Sequence, residues 1–190
     1  WFKGLWTSLT LMTIVGCGAE FTDSNDPRDD QPASDPMVIY QNGLDSNWDF
    51  YDCCTGGYIE TVTDADKGEV AQFTGIQSDT TLGFTATLPV DHYADEANLS
   101  LNFSLKVDAF PTNNPESTWT FEVYNSTTES AAVVILSASD LGATGEWTDF
   151  NYPLSDLANL GLDTSGIDRV TLFPSWGNAL GAVYQVADMV

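Results

Sequence analysis

The stretch Asn98-Leu99-Ser100-Leu101-Asn102-Phe103-Ser104-Leu105-Lys106-Val107 decides the fold of this 190-residue chain. Leu99, Leu101, Phe103, Leu105 and Val107 alternate strictly with polar neighbours. A period of two is the signature of a β-strand with one face buried. Trp119, Phe121 and Val123 repeat the pattern against Thr118, Thr120, Glu122 and Tyr124. Shorter strands are expected at residues 38–40, 58–62, 70–74, 82–88, 132–137, 147–152, 169–174 and 182–188. Turn-forming clusters separate them, among them Pro111-Thr112-Asn113-Asn114-Pro115 and Asp163-Thr164-Ser165-Gly166. The one helical hint is Ser155–Leu160, about one turn. Some ten short strands with no helices between them give an all-β, antiparallel jelly-roll β-sandwich over residues 37–190.

Charge narrows the function. The chain carries 28 acidic residues against five basic ones, a net charge of −23. Nucleic-acid binders need clustered Lys and Arg, and docking on anionic lipid needs the same, so both are excluded. Residues 37–190 hold only Lys67, Lys106 and Arg169 as bases, for a net charge of −19. The single histidine, His92, excludes multi-histidine metal sites.

Upstream of the sandwich, Lys3 precedes an apolar run from Leu5 to Val15, too short to span a bilayer at ~20 residues but the size of a signal-peptide core. It closes on Ile14-Val15-Gly16-Cys17, which resembles a bacterial lipobox. That resemblance implies that 1–16 is a lipoprotein signal peptide. Cys17 is then the lipidated mature N-terminus, and Gly18 directs the protein to the outer membrane, which it would touch through its lipid alone. The rest of 17–36, rich in acids and proline, reads as a disordered tether.

The C-terminal third carries Gly145-Glu146-Trp147-Thr148-Asp149-Phe150, Pro153-Leu154-Ser155-Asp156-Leu157, Asp168-Arg169-Val170-Thr171-Leu172-Phe173-Pro174-Ser175-Trp176-Gly177 and Gly181-Ala182-Val183-Tyr184-Gln185-Val186-Ala187-Asp188. With Tyr40-Gln41-Asn42-Gly43-Leu44 and Trp48 near the start, these segments resemble the galactose-binding-like β-sandwich modules attached to marine bacterial exo-β-glucanases and laminarinases. More distantly they are similar to carbohydrate-binding modules of families 4, 16 and 22. The resemblance implies a non-catalytic module that binds polysaccharide, with β-1,3-glucan as the first ligand to test, and a catalytic domain beyond residue 190. It also implies a structural Ca²⁺ held by Gln41, Asp64, Asp66 and Asp188, although the family often has Glu where Gln41 stands.

Sugar recognition needs flat apolar faces for CH groups and polar side chains for hydroxyls. Trp176, between turn formers, is the expected exposed platform, with Asn178 beside it as donor and acceptor. Tyr51, Trp48 and Glu122 are further expected contacts, and Trp119 belongs to the core by its alternation. Cys53 and Cys54 are adjacent, in a chain that the lipobox resemblance implies is exported. Their Cα atoms, ~3.8 Å apart, fall below the usual ~4.4–6.8 Å disulfide span. A vicinal disulfide, two free thiols, or a bridge to a segment outside this sequence all remain open. The disulfide would form a rigid apolar bump suited to sugar contact. Two other classes stay in view: a catalytic β-sandwich glycosidase or lyase, and an adhesive or structural surface module. The Glu-x-Asp-x-x-Glu motif of sandwich β-glucanases does not occur.

Overall fold

The computed structural model describes residues 37–190. The expected signal peptide, Cys17 and tether lie outside the described residues. Among the described residues ten strands are present: β1 (Trp48–Asp52), β2 (Gly57–Asp64), β3 (Gly68–Gly75), β4 (Leu82–Val90), β5 (Ser100–Ala109), β6 (Trp119–Asn125), β7 (Ser130–Leu136), β8 (Trp147–Pro153), β9 (Ile167–Pro174) and β10 (Val183–Ala187). They form two five-stranded antiparallel sheets, ordered β1-β4-β9-β6-β7 and β2-β3-β10-β5-β8. The one α-helix among the described residues, α1 (Leu154–Asn159), is six residues long and falls where the helical hint lay. Among the described residues no helix is long and apolar enough to cross a membrane.

Period two explains the core. Leu101, Phe103, Leu105 and Val107 of β5 point inward, as do Trp119, Phe121 and Val123 of β6, all buried to 2% exposure or less. Phe103 packs on Phe121 across the two sheets at 5.0 Å, and Tyr184 of β10 stacks on Phe73 and meets Trp119 edge-on at 4.8 Å. Such aromatic pairs add to plain area burial.

Two expectations change. Residues 38–40 form no strand; Tyr40 makes only isolated bridges to Leu44 and Met189. A strand not among those expected, β1, runs through the aromatic, acidic stretch Trp48-Asp49-Phe50-Tyr51-Asp52 and pairs with β4 from Trp48↔Ala86 to Asp52↔Leu82. Trp48 and Phe50 turn toward the core while Asp49 and Tyr51 turn away. Trp48 is only 3% exposed, so it is withdrawn as a sugar contact: inward alternation in β1 seats it in the core.

Candidate functional site

The register of the first sheet sets out its outer face row by row. One row reads Asp49, Thr85, Arg169, Tyr124, Ala131 across β1, β4, β9, β6 and β7; the next reads Tyr51, Gly83, Thr171, Glu122, Val133. Beyond them Phe173, Thr120 and Ile135 continue across β9, β6 and β7. Five strands at ~4.8 Å spacing make this face ~19 Å wide.

Arg169 is the centre of the face. Its guanidinium lies 4.1 Å from the Tyr124 ring centroid and 5.2 Å from that of Tyr51. Its Nη2 reaches Glu122 Oε1 at 3.4 Å. Stacking on aromatic faces suits the planar, weakly hydrated guanidinium. Beneath, Arg169 Nε and Thr171 Oγ1 are buried without a hydrogen-bond partner among the described residues. Gly83 has no room for a side chain: a Cβ there would lie 2.3 Å from Val170 O and 2.6 Å from Thr171 Cα.

Trp176 follows β9 in a turn and is 57% exposed, its ring edge-on to Phe173 with centroids 6.4 Å apart. Phe173 faces outward yet is only 3% exposed. Asn178 spends its amide on the carbonyls of Ser175 (3.1 Å) and Trp176 (3.2 Å), so it shapes the turn that presents the tryptophan. Of the expected contacts, Tyr51 and Glu122 share this face, and Trp176 follows from its β9 edge. Arg169, Thr171 and Phe173 were not anticipated; their alternation against Val170 and Leu172 was the available signal.

Cys53 and Cys54 are joined by a disulfide and exposed. Their loop is organised by Asp52, whose carboxylate accepts from the N–H groups of Cys54 (3.1 Å), Gly56 (3.3 Å) and Gly57 (2.9 Å) and from the Thr80 hydroxyl (2.9 Å). Burial works to raise the Asp52 pKa, but these donors outweigh it and hold the carboxyl below its ordinary value.

The residues expected to hold calcium lie by the other sheet, where lysines occupy their carboxylates. Lys106 Nζ binds Asp64 Oδ2, and the Trp147 indole N–H donates to Asp64 Oδ1 at 3.2 Å. That hydrogen bond from Lys106 lowers the Asp64 pKa to about 2. Lys67 Nζ lies 2.9 Å from both Asp188 Oδ2 and Ser104 Oγ, and 3.9 Å from Asp149. Asp66 and Gln41 are exposed. Among the described residues no three His, Cys, Asp or Glu side chains converge as a metal site. The donor set, carrying two ammonium groups, does not fit a bound Ca²⁺ as arranged. Lys67, Ser104, Asp149 and Asp188 also line an open cavity of about 410 Å³, with Asn102 and Asn151. Their polar groups largely satisfy one another.

No family model matches this chain, and no curated protein matches it either. Solved structures do. The family 11 carbohydrate-binding module of a cellulosomal cellulase of Clostridium thermocellum aligns with a TM-score of 0.55 at 15% identity, covering 83% of this chain and 94% of that one. The extra C-terminal X domain of an exo-1,3/1,4-β-glucanase from a Pseudoalteromonas species gives 0.55 at 13% identity, covering 80% and 89%. A family 30 module from a second C. thermocellum cellulosomal cellulase gives 0.53 at 11% identity, covering 83% and 93%. The fold is therefore that of the β-sandwich carbohydrate-binding modules.

Proposed function

We propose that residues 37–190 form a non-catalytic polysaccharide-binding module and that the glycan lies across the outer face of the β1-β4-β9-β6-β7 sheet. The observation that carries this is the composition of that face. Tyr51, Tyr124 and Trp176 supply ring surface, Glu122, Arg169, Thr85 and Thr120 supply hydrogen-bonding groups, and two polar atoms beneath have no partner among the described residues. Flat apolar surface beside a few fixed polar groups is what a ligand rich in CH and OH requires. The fold shared with carbohydrate-binding modules supports the reading.

Binding is favoured over catalysis because the two carboxylates these rows present, Asp49 on β1 and Glu122 on β6, stand three strands apart, ~14 Å at ~4.8 Å per strand, and Glu122 is tied to Arg169. Glycoside hydrolysis needs two carboxyls flanking the bond, ~5–5.5 Å or ~6.5–9.5 Å apart. The ligand is a neutral glycan, β-1,3-glucan first. All three bases of residues 37–190 are already paired, Lys67 with Asp188, Lys106 with Asp64 and Arg169 with Glu122. A net charge of −19 would repel sulfated or uronic polymers. The module is carried on an outer-membrane lipoprotein anchored through Cys17 and serves a polysaccharide-degrading enzyme. Affinity electrophoresis over β-1,3-glucan, mixed-linkage β-glucan, agarose, alginate and a sulfated galactan tests the ligand class. Retardation by a neutral polymer alone is expected; retardation only by the anionic ones would refute it. A mature N-terminus other than acylated Cys17, by mass spectrometry, would remove the lipoprotein reading.

A further inference from the structure

The backbone of β1 does not stop pairing at Asp52: the Cys53 N–H donates to Thr81 O at 3.2 Å, one step beyond the Asp52↔Leu82 pair. Period two then carries Cys53 to the side of the sheet that holds Asp49 and Tyr51. Extending the Gly83↔Thr171 register by two residues sets Cys53 and Thr81 level with Phe173, Thr120 and Ile135. Both cysteines are exposed, and their loop is fixed from below by the four donors to Asp52. Two further bonds brace it, from the N–H groups of Ile76 (2.9 Å) and Gln77 (3.0 Å) to Gly56 O. The result is a sulfur-lined, apolar knob on a rigid mount, at the edge of the face opposite the β7 aliphatics.

We propose that the Cys53–Cys54 disulfide is a direct sugar contact at the β1 rim of this face and makes the affinity of the module responsive to thiol reductants. The proposal rests on the glycan-binding reading of that face. Sulfur is polarisable and packs on CH-rich surfaces, and a knob closed by adjacent residues has little conformational freedom left to lose on binding. A dithiol breaks the S–S bond by exchange. Two electrons and two protons yield thiols at Cys53 and Cys54, and the dithiol closes to its own disulfide. The single knob then becomes two independent side chains.

The test uses the full chain carrying Cys17→Ser, so that the vicinal pair is the sole redox centre. Calorimetry with whichever neutral polysaccharide of the panel binds should give an affinity about threefold weaker after dithiothreitol, the scale of one soft apolar contact. The Cys53→Ser/Cys54→Ser variant should match the reduced protein. A second readout separates contact from mere bracing: saturating glycan should slow reduction of the bond by about fivefold or more, because an attacking thiolate needs access to sulfur. Unprotected reduction, or unchanged affinity after it, overturns the proposal while leaving the face intact. If no panel glycan binds the oxidised protein, the face reading fails and this contact fails with it.

Discussion

Replacing Trp176 by Ala separates a binding platform from a core residue. The side chain is 57% exposed and touches Phe173 edge-on. The covered two-fifths of a ~250 Å² indole is ~100 Å², or ~2.5 kcal/mol at ~25 cal/mol/Å². That figure is an upper bound, because the unfolded chain already hides part of this surface. At ~2–4 °C per kcal/mol for a domain of this size, Trp176→Ala melts several degrees lower but stays folded at 25 °C. Loss of the stacking surface should cost more in relative terms: aromatic residues dominate binding hot spots, and a tenfold fall in affinity corresponds to ~1.4 kcal/mol. Circular dichroism and calorimetry on parent and variant read both effects. Parental affinity for a glycan the parent binds would refute the platform. Wholesale unfolding would show that Trp176 supports the fold as Trp119 does, where truncation of the fully buried ring costs ~3–5 kcal/mol.

Gly83→Ala should destabilise by ~1–3 kcal/mol or more, since its methyl would fall 2.3 Å from Val170 O; a parental urea midpoint would contradict that crowding. The Asp64 carboxyl, depressed to about 2 by Lys106, contributes stability in full above its unfolded value of ~3.9 that is lost as pH falls through the folded one. Asp64→Asn should therefore flatten the acid side of a stability–pH curve between ~4 and ~2, and an unchanged slope would exclude that linkage. EDTA should leave the melting temperature unaltered, because the lysine-paired Asp64 and Asp188 do not frame an ion; a chelator-dependent fall would restore calcium, since a ligand specific for the folded state stabilises it.

Strict alternation made β5 and β6 legible without any structure, because each buries one face and solvates the other. β1 was hidden for a physical reason. Trp48-Asp49-Phe50-Tyr51-Asp52 also alternates inward and outward, but Tyr51 puts an aromatic ring on the outer side, which blurs the apolar–polar alternation that marks a strand. The site was legible only in pieces. Tyr51, Glu122 and Trp176 were recognisable as side chains apt for sugar, whereas their common face depends on β1, β9 and β6 sharing one sheet, which no local pattern encodes. Arg169 looked like an ordinary strand residue until pairing set it between two tyrosines. The calcium ligands came from the resemblance; that Lys67 and Lys106 pair with Asp188 and Asp64, from the turn between β2 and β3 and from β5, is a long-range arrangement no local pattern carries.

The bonds between residues 39–40 and Met189 give the sandwich a mechanical property. Ile39 and Tyr40 both donate to Met189 O, and Met189 donates back to Tyr40 O. In this antiparallel arrangement residues 37 and 190 leave side by side from one corner. A load applied between them falls on these bonds and on the two that tie Val190 to Asn102 of β5, in the second sheet. Were a glycan held on the outer face of the β1-β4-β9-β6-β7 sheet, as proposed, a load between it and residue 37 would instead have to cross the sandwich, so the two directions of pull should meet different resistance.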